Sequence, residues 1–344
     1  MKDKITILGV CGGNGVILYP FLSKSFKLIG NIEPRGVFGT PQNIQWKLNF
    51  KDIPLYKTII DLPSPDVIIG APDCGHSSIL SYSRAKAFSD AKDNPSLTIF
   101  IQAVQTKYLP KVFVMENLVA LIKNYGEGDL EQAFSNYNLT FINGPVSNYG
   151  NSQIHRKRLL LIGVRKDLPK GYLKLFSLPL LEFNKLKTCG ELINDLFSQY
   201  PNPKLCHVRE DNNTVITIYA GKKMKVGQIK KMWMEEHTFD KRLPVYGRNF
   251  TSAPGVYKNL EDDYPATARK QNRQYNHFGE MMSPRELARI QGLPDEFKIA
   301  FEERNAQYWI NKGRVTVTKT PPLEMAKYVK RKLIKVFKKL NYEN

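Results

Sequence analysis

Four short stretches hold residue types that can do chemistry together. In PDVIIGAPDCGHSS (65–78), an aliphatic run leads straight into Cys74, a thiol held among proline, aspartate, glycine and histidine. A structural cysteine ordinarily sits inside an apolar element. This one sits on what reads as the loop at a strand's C-terminal end, where open α/β sheets gather ligands and catalytic groups. KVFVMENL (111–118) puts Glu116 at the close of the next aliphatic run, and CGGNG (11–15) follows the first. Glu33 lies 20 residues after Gly13 and ends FKLIGNIE. Glycines there let backbone approach a ligand, and such an acid can bind a ribose hydroxyl. GGNG lacks full dinucleotide spacing, so a mononucleoside-type ligand such as S-adenosylmethionine suits it better than NAD. A thiolate beside such a ligand can add to carbon 6 of a pyrimidine, turning carbon 5 into a nucleophile toward a methyl donor. An acid would stabilise the charge developing at ring nitrogen 3. Taken singly, Cys74 reads as a small buried residue, Glu116 as a helix-start carboxylate and the glycines as a tight turn. Placement at successive strand ends favours the chemical reading.

These residues need a scaffold, and the chain supplies one. Apolar runs at 4–10, 26–33, 66–70, 111–117 and 158–165 alternate with helical stretches, one of them expected to begin at 16–24. That rhythm implies a doubly wound, mostly parallel α/β sheet. It breaks near residue 167, where DLPKGY and YPNPKL punctuate irregular polar and aromatic segments, pointing to a second, smaller domain. SPRELARIQGL (283–293) reads as a helix with Ser283 as N-cap and Pro284 at its first position. In KYVKRKLIKVFKKL (327–340), Tyr328, Val329, Leu333, Val336, Phe337 and Leu340 recur at helical spacing with lysines on the other face. That is first a docking helix and second a phosphate-contacting one.

Composition narrows the class. With 344 residues, 42% of them hydrophobic, the chain can bury a real core. Lys and Arg number 51 against 32 Asp and Glu, a formal +19 that favours a polyanion such as nucleic acid, although solvating lysines account for such charge about as well. No run has membrane-spanning length or the form of a signal peptide. The four cysteines and five histidines show no metal spacing, so no metal and reduced thiols in a cytosol-like compartment are expected.

In order along the chain, these motifs resemble those of the DNA (cytosine-5) methyltransferases. DVIIGAPDCGHSS resembles the family's Pro-Cys nucleophile loop, MENL its Glu-Asn-Val, and HRKRLLLIGVR its arginine motif. SPRELARIQGLPDEF is similar to the segment that buttresses target recognition, and TPPLEMAKYVKRKL to the closing motif. The resemblance implies the Rossmann-like methyltransferase fold, with a catalytic domain over 1–166, target recognition over 167–312 with its base reader between about 167 and 282, and a returning segment over 313–344. It implies Cys74 as nucleophile, Glu116 on ring nitrogen 3, Asn117 as positioner of the cysteine loop, and Arg156 and Arg158 as active-site cations. S-adenosylmethionine would be held by Gly12, Gly13, Gly15, Glu33, Pro72 and Thr318, with Asp61 a candidate for its adenine edge. A monomer acting on double-stranded DNA is implied, in a bacterial or virus-infected cytoplasm and of the restriction-modification kind, with the target cytosine extruded because a stacked base is out of reach.

The chain departs from the family pattern in several places. Asp73 replaces a proline and sets a carboxylate beside the thiol, which raises a cysteine's pKa. Gly75 replaces a glutamine, and QIHRKR has one extra residue between Gln153 and Arg156. No Asp-x-Phe precedes the glycines, and Thr318 and Lys319 stand in the closing motif where Thr318 takes an asparagine's place. These departures leave two other readings beside the DNA methyltransferase: a DNA-binding relative without turnover, and an RNA cytosine-5 methyltransferase. Trp233, Tyr246, Arg248 and nearby lysines offer a major-groove surface without excluding folded RNA.

Overall fold

Alternation within the aliphatic runs builds the first unit. In the computed structural model, β1 (Ile5–Val10) and β2 (Phe26–Ile32) are followed by α1 (Pro41–Asn49), β3 (Leu55–Tyr56) and β4 (Val67–Gly70). Helix α2 (Pro95–Gln102) then leads through a π-helical turn, Ala103–Tyr108, to β5 (Val112–Asn117). Helices α3 (Ala120–Tyr125) and α4 (Glu127–Ala133) precede β6 (Tyr137–Pro145) and β7 (Lys157–Arg165). The described residues are 4–34, 41–73, 94–217, 223–228, 256–258, 261–265, 267, 273–277 and 280–343. Expectations placed on Cys74, Gly75, Trp233, Tyr246 and Arg248 lie outside them. The chain divides into two units, one made of Met1–Tyr149, Lys157–Leu181 and Pro321–Asn344, the other of Gly150–Arg156 and Glu182–Thr320.

The strand order of the first unit is β3-β2-β1-β4-β5-β7-β6. All neighbours run parallel except β7, which is antiparallel to both β5 and β6. The α/β, mostly parallel sheet expected from the sequence is therefore the observed one. Its strands bury both faces, as helix-covered parallel sheets must. Val67, Ile69, Val112, Val114, Leu160 and Ile162 enter one core, while Ile68, Phe113, Met115, Leu159 and Leu161 enter the other with Phe100 of α2 and Phe134 after α4.

Residues 16–24 do not begin the expected helix. They form turns and one 3-10 turn, Tyr19–Phe21. Pro20 has no N–H to bond back to residue 16, so an α-helix cannot propagate through it.

The second unit contains α5 (Cys189–Phe197), the antiparallel ribbon of β8 (Val215–Thr217) and β9 (Lys223–Lys225), and the parallel pair β10 (Val256–Lys258) and β11 (Arg273–Tyr275). Helices α6 (Pro284–Ile290) and α7 (Ala306–Thr318) complete it. Ser283 caps α6 as expected, in a capping box with Glu286 and with Pro284 in the first turn. Arg285 is fully buried and donates to the carbonyls of Leu205 at 2.9 Å, Pro294 at 3.0 Å and Phe297 at 2.7 Å. His207, read from sequence as a core residue, is buried with its Nδ1 2.8 Å from Ser283 Oγ.

The chain then returns to the first unit as α8 (Leu323–Glu343). Tyr328, Val329, Leu333, Val336, Phe337 and Leu340 are all buried in the core beneath the sheet's first face. Each such side chain contributes about 1.5–3 kcal/mol by leaving water. Ser177 N–H donates to the Tyr328 hydroxyl at 2.9 Å, which fixes the helix against the 3-10 segment before it.

Candidate active site

The sheet changes winding direction at β1, whose neighbours are β2 on one side and β4 on the other. Chain leaving the C-terminal ends of β1 and β4 therefore diverges, and a crevice opens where ligands of such sheets bind. Ala71 N–H donates to Cys11 O at 3.2 Å and ties the two strand ends together.

The glycine turn after β1 is held from β2. Gly12 N–H donates to Asn31 Oδ1 at 3.2 Å, and Gly13 N–H to Glu33 Oε2 at 2.8 Å. Gly13 has a left-handed φ of +60°, and a Cβ built on it would meet nothing within 4 Å. Backbone at Gly13 thus borders open space with a buried carboxylate alongside. Asn31 Nδ2 is a buried donor without a partner among the described residues. Gly15 serves a different purpose: a Cβ there would fall 2.3 Å from Phe50 Cε2, which stacks on Trp46 with ring centroids 4.1 Å apart.

The segment after β4 is held by two asparagines. Asn117, the last residue of β5, donates from Nδ2 to Pro72 O at 3.1 Å and accepts from Leu118 N–H at 2.8 Å. Asn94 donates to Asp73 O at 2.8 Å while its Oδ1 caps α2 through the N–H groups of Ser96 and Leu97. The backbone immediately before Cys74 is thereby anchored twice. Asn94 went unnoticed in the sequence, although Asn-Pro-Ser at 94–96 is an N-cap signature.

Strand β7 explains the next contact. Because it runs antiparallel to β5, its beginning lies at the edge where β5 ends, and Glu116 pairs with Leu160 in the ladder. Arg158 is thus delivered beside Glu116, and its Nε stands 2.9 Å from Glu116 Oε1 with side chains only 16% and 8% exposed. A parallel strand would have carried that arginine to the opposite edge.

Asp61 is almost fully exposed and pairs with Lys107 at 2.9 Å, which holds its carboxyl below the usual range. Arg156 belongs to the second unit, where it is buried and donates from Nη2 to Thr320 O at 2.7 Å and Thr318 O at 3.4 Å. Thr318 ends α7, with its hydroxyl donating back to Arg314 O at 2.8 Å. Gln153 is buried in that same unit, donating to Gln291 Oε1 at 2.9 Å and Asn151 Oδ1 at 3.0 Å. Among the described residues no group of three or more His, Cys, Asp or Glu could hold a metal, and no helix is long and apolar enough to cross a membrane.

A family model for C-5 cytosine-specific DNA methylases matches residues 26–312. The chain belongs to this family. This methylase is 28% identical over 257 residues to the type II methyltransferase M.NgoPII of Neisseria gonorrhoeae, covering 71% of each protein. It is 28% identical over 207 residues to the orphan methyltransferase M.SPRI of Bacillus phage SPR, covering 51% of this chain and 44% of that one. Among solved structures, a candidate DNA modification methyltransferase encoded within an E. coli prophage superposes with a TM-score of 0.64 at 17% identity, covering 97% of this chain and 100% of the other. Dnmt2 of S. pombe gives 0.55 at 12% identity, covering 97% and 99%. These structural likenesses bear on fold alone, and they agree with the Rossmann-like sheet. The family resemblance carried by the sequence motifs is borne out, and the methylase is an enzyme of the S-adenosylmethionine-dependent DNA cytosine methyltransferase class.

Proposed function

We propose that the methylase transfers a methyl group to carbon 5 of cytosine in double-stranded DNA through a covalent adduct at Cys74. The observation that carries this reading is the meeting of Glu116 with Arg158 at the end of β5, beside Asn117, which holds the backbone that leads into Cys74. Three adjacent strands, β4, β5 and β7, thus contribute a tethered nucleophile loop, an acid and a cation.

The glycine turn fits S-adenosylmethionine on its own geometry: open space at Gly13, the buried Glu33 carboxylate suited to a ribose diol, and an orphaned buried donor on Asn31. Gly12, Gly13 and Glu33 would hold the cofactor, with Gly15 setting the turn and Pro72, Asp61 and Thr318 as further candidates. When bound, the cofactor supplies an electrophilic methyl carbon. The Cys74 thiolate forms a bond to carbon 6 of the cytosine, breaking the 5,6 double bond and placing its electron pair toward carbon 5. As the thiolate adds, Glu116 in its acid form donates its proton to ring nitrogen 3 and takes it back when the sulfur leaves, while Arg158 orients the Glu116 carboxyl group. After carbon 5 is methylated, loss of its proton restores the double bond and expels the Cys74 sulfur as thiolate. The target base must leave the duplex for this contact, so extrusion accompanies binding. Arg156 is kept as the second candidate active-site cation, and the second unit would carry sequence recognition. A monomer suffices for one extruded base, and the cell's DNA places the enzyme in the cytoplasm.

The test is a trap. Purified protein, S-adenosylmethionine and random-sequence duplex containing 5-fluorocytosine are incubated, and the products are resolved by denaturing gel and mass spectrometry. A protein–DNA adduct absent from Cys74→Ser is expected, since fluorine at carbon 5 cannot leave as a proton does. DNA binding without an adduct would assign a DNA-binding relative without turnover. An adduct formed on fluoropyrimidine RNA in place of DNA would move the substrate to RNA.

A further inference from the structure

Helix α8 has a second, cationic face that carries no ion pair among the described residues. While its apolar side is buried, Lys327, Arg331, Lys335, Lys338 and Lys339 are exposed and Lys330 and Lys332 half-buried. Lys327, Arg331, Lys335 and Lys338 follow one another in steps of four, four and three residues. They form one stripe about 16 Å long on the helix surface. None of these seven cations is ion-paired among the described residues; Lys332 lies 5.2 Å from the centroid of the Tyr328 ring. Between 323 and 340 the only acid is Glu324, in the first turn. Burial first, then Lys335 and Arg331, hold the Lys332 ammonium below the usual lysine range. The 3-10 helix Lys170–Leu175 packs against α8 and adds exposed Lys170 and Lys174.

Neither helix electrostatics nor packing accounts for this stripe. The helix dipole rewards cations in the last turn, and the last turn of α8 has none. The apolar face is already covered, so α8 has nothing to insert into a bilayer, as a membrane-surface helix requires. Position separates it from the site as well. Lys111, immediately before β5, lies 5.8 Å from the Phe337 ring centroid, so the second half of α8 reaches the edge where β5 begins. Glu116 and Asn117 stand at the other end of that strand, about 15–20 Å away.

We propose that this stripe is a second, sequence-independent docking surface for the phosphate backbone of duplex DNA, distinct from the edge that handles the target base. The inference rests on the reading that the methylase acts on duplex DNA. Four cations in line, none ion-paired among the described residues, match a polyanion carrying one charge per about 1.7 Å of axis. The stripe keeps the enzyme on DNA between target encounters.

The test uses the full-length variant K327Q/R331Q/K335Q/K338Q, with folding checked by circular dichroism. One arm measures binding to poly(dA)·poly(dT), which contains no cytosine, across a salt series. The variant is expected to lose at least about a hundredfold in affinity near 0.15 M salt and to flatten the log–log salt slope by about 3–4. A second arm compares methylation of the same unmethylated bacterial DNA, intact and sheared to short fragments. The variant should match wild type on fragments and lose the wild-type advantage on intact DNA. Unchanged affinity and slope would overturn the proposal, as would an equal loss on fragments and intact DNA. Loss of phosphatidylserine vesicle binding with DNA affinity intact would overturn it in favour of a membrane. Wild type that methylates neither DNA would instead sink the substrate reading, while the cytosine-free duplex still judges the stripe.

Discussion

Arg158 meets Glu116 across the β5–β7 ladder with both side chains largely shielded from water. Replacing it by leucine is expected to lower kcat by about 100-fold or more through loss of a preorganised charge. Arg158→Lys should recover part of that, because it keeps the charge and loses the planar fork. Equal kcat for wild type and Arg158→Leu would remove Arg158 from the site. A second prediction concerns the thiols. Cys11, Cys189 and Cys206 are buried, and burial pushes the Cys206 thiol up to about 12 and the Cys189 thiol higher still. Iodoacetamide at neutral pH should therefore modify native protein only at Cys74, read as a single carbamidomethyl mass increment that Cys74→Ser abolishes. Labelling of Cys189 in folded protein would contradict its placement. Glu116, Asn117 and Arg158 were legible in the sequence because each terminates or opens an aliphatic run. Asn94 was not, since its second role, gripping Asp73 O, depends on a contact 21 residues distant that no local pattern announces.

Helix α2 is the element whose start matters most to the site, because its N-cap is also a clamp. Asn94→Ala should cost about 1 kcal/mol of stability from the lost cap. It should also slow adduct formation in the 5-fluorocytosine trap, as the chain before Cys74 loses one anchor. Asn94→Asp separates the effects: it still caps the helix but cannot donate to Asp73 O, so normal stability with a slow trap is expected. Equal trapping rates in all three proteins would confine Asn94 to capping. Elements with a clear periodicity were readable from the sequence: β1, β2, β4, β5, β7, α6 and α8. Strand β6 was missed because it alternates poorly: only Tyr137, Ile142 and Gly144 are buried, and most of this edge strand is half-buried. The 16–24 segment went the other way, its apolar run suggesting a helix that Pro20 forbids.

Across the molecule, the charge balance and the two-unit plan have separate consequences. In the second unit Arg289 bridges Asp195 and Asp295, the latter at 2.6 Å, and hydrogen bonds from Arg289 hold both carboxyls below the usual range. Stability from these pairs is fully present above the unfolded carboxylate pKa of about 3.9 and lost as pH falls through the lower folded values. Acid titration followed by circular dichroism should show this limb below about pH 4, and Arg289→Leu should be less stable at neutral pH with a shallower acid limb. An unchanged limb would mean the pairs are solvent-screened contacts of little weight. The grouping of 150–156 with the second unit was not readable from the sequence, since QIHR looks like the simple approach to a strand. The return of α8 also sets an order of events at the ribosome. The face of the sheet formed by Val67, Val112 and Ile162 is synthesised long before the helix that covers it, with Glu182–Thr320 of the second unit translated in between. At about 5–20 residues per second, that face waits seconds for its cover. The nascent chain is therefore a natural client for chaperones that bind exposed apolar surface, and truncations ahead of α8 should collect in inclusion bodies.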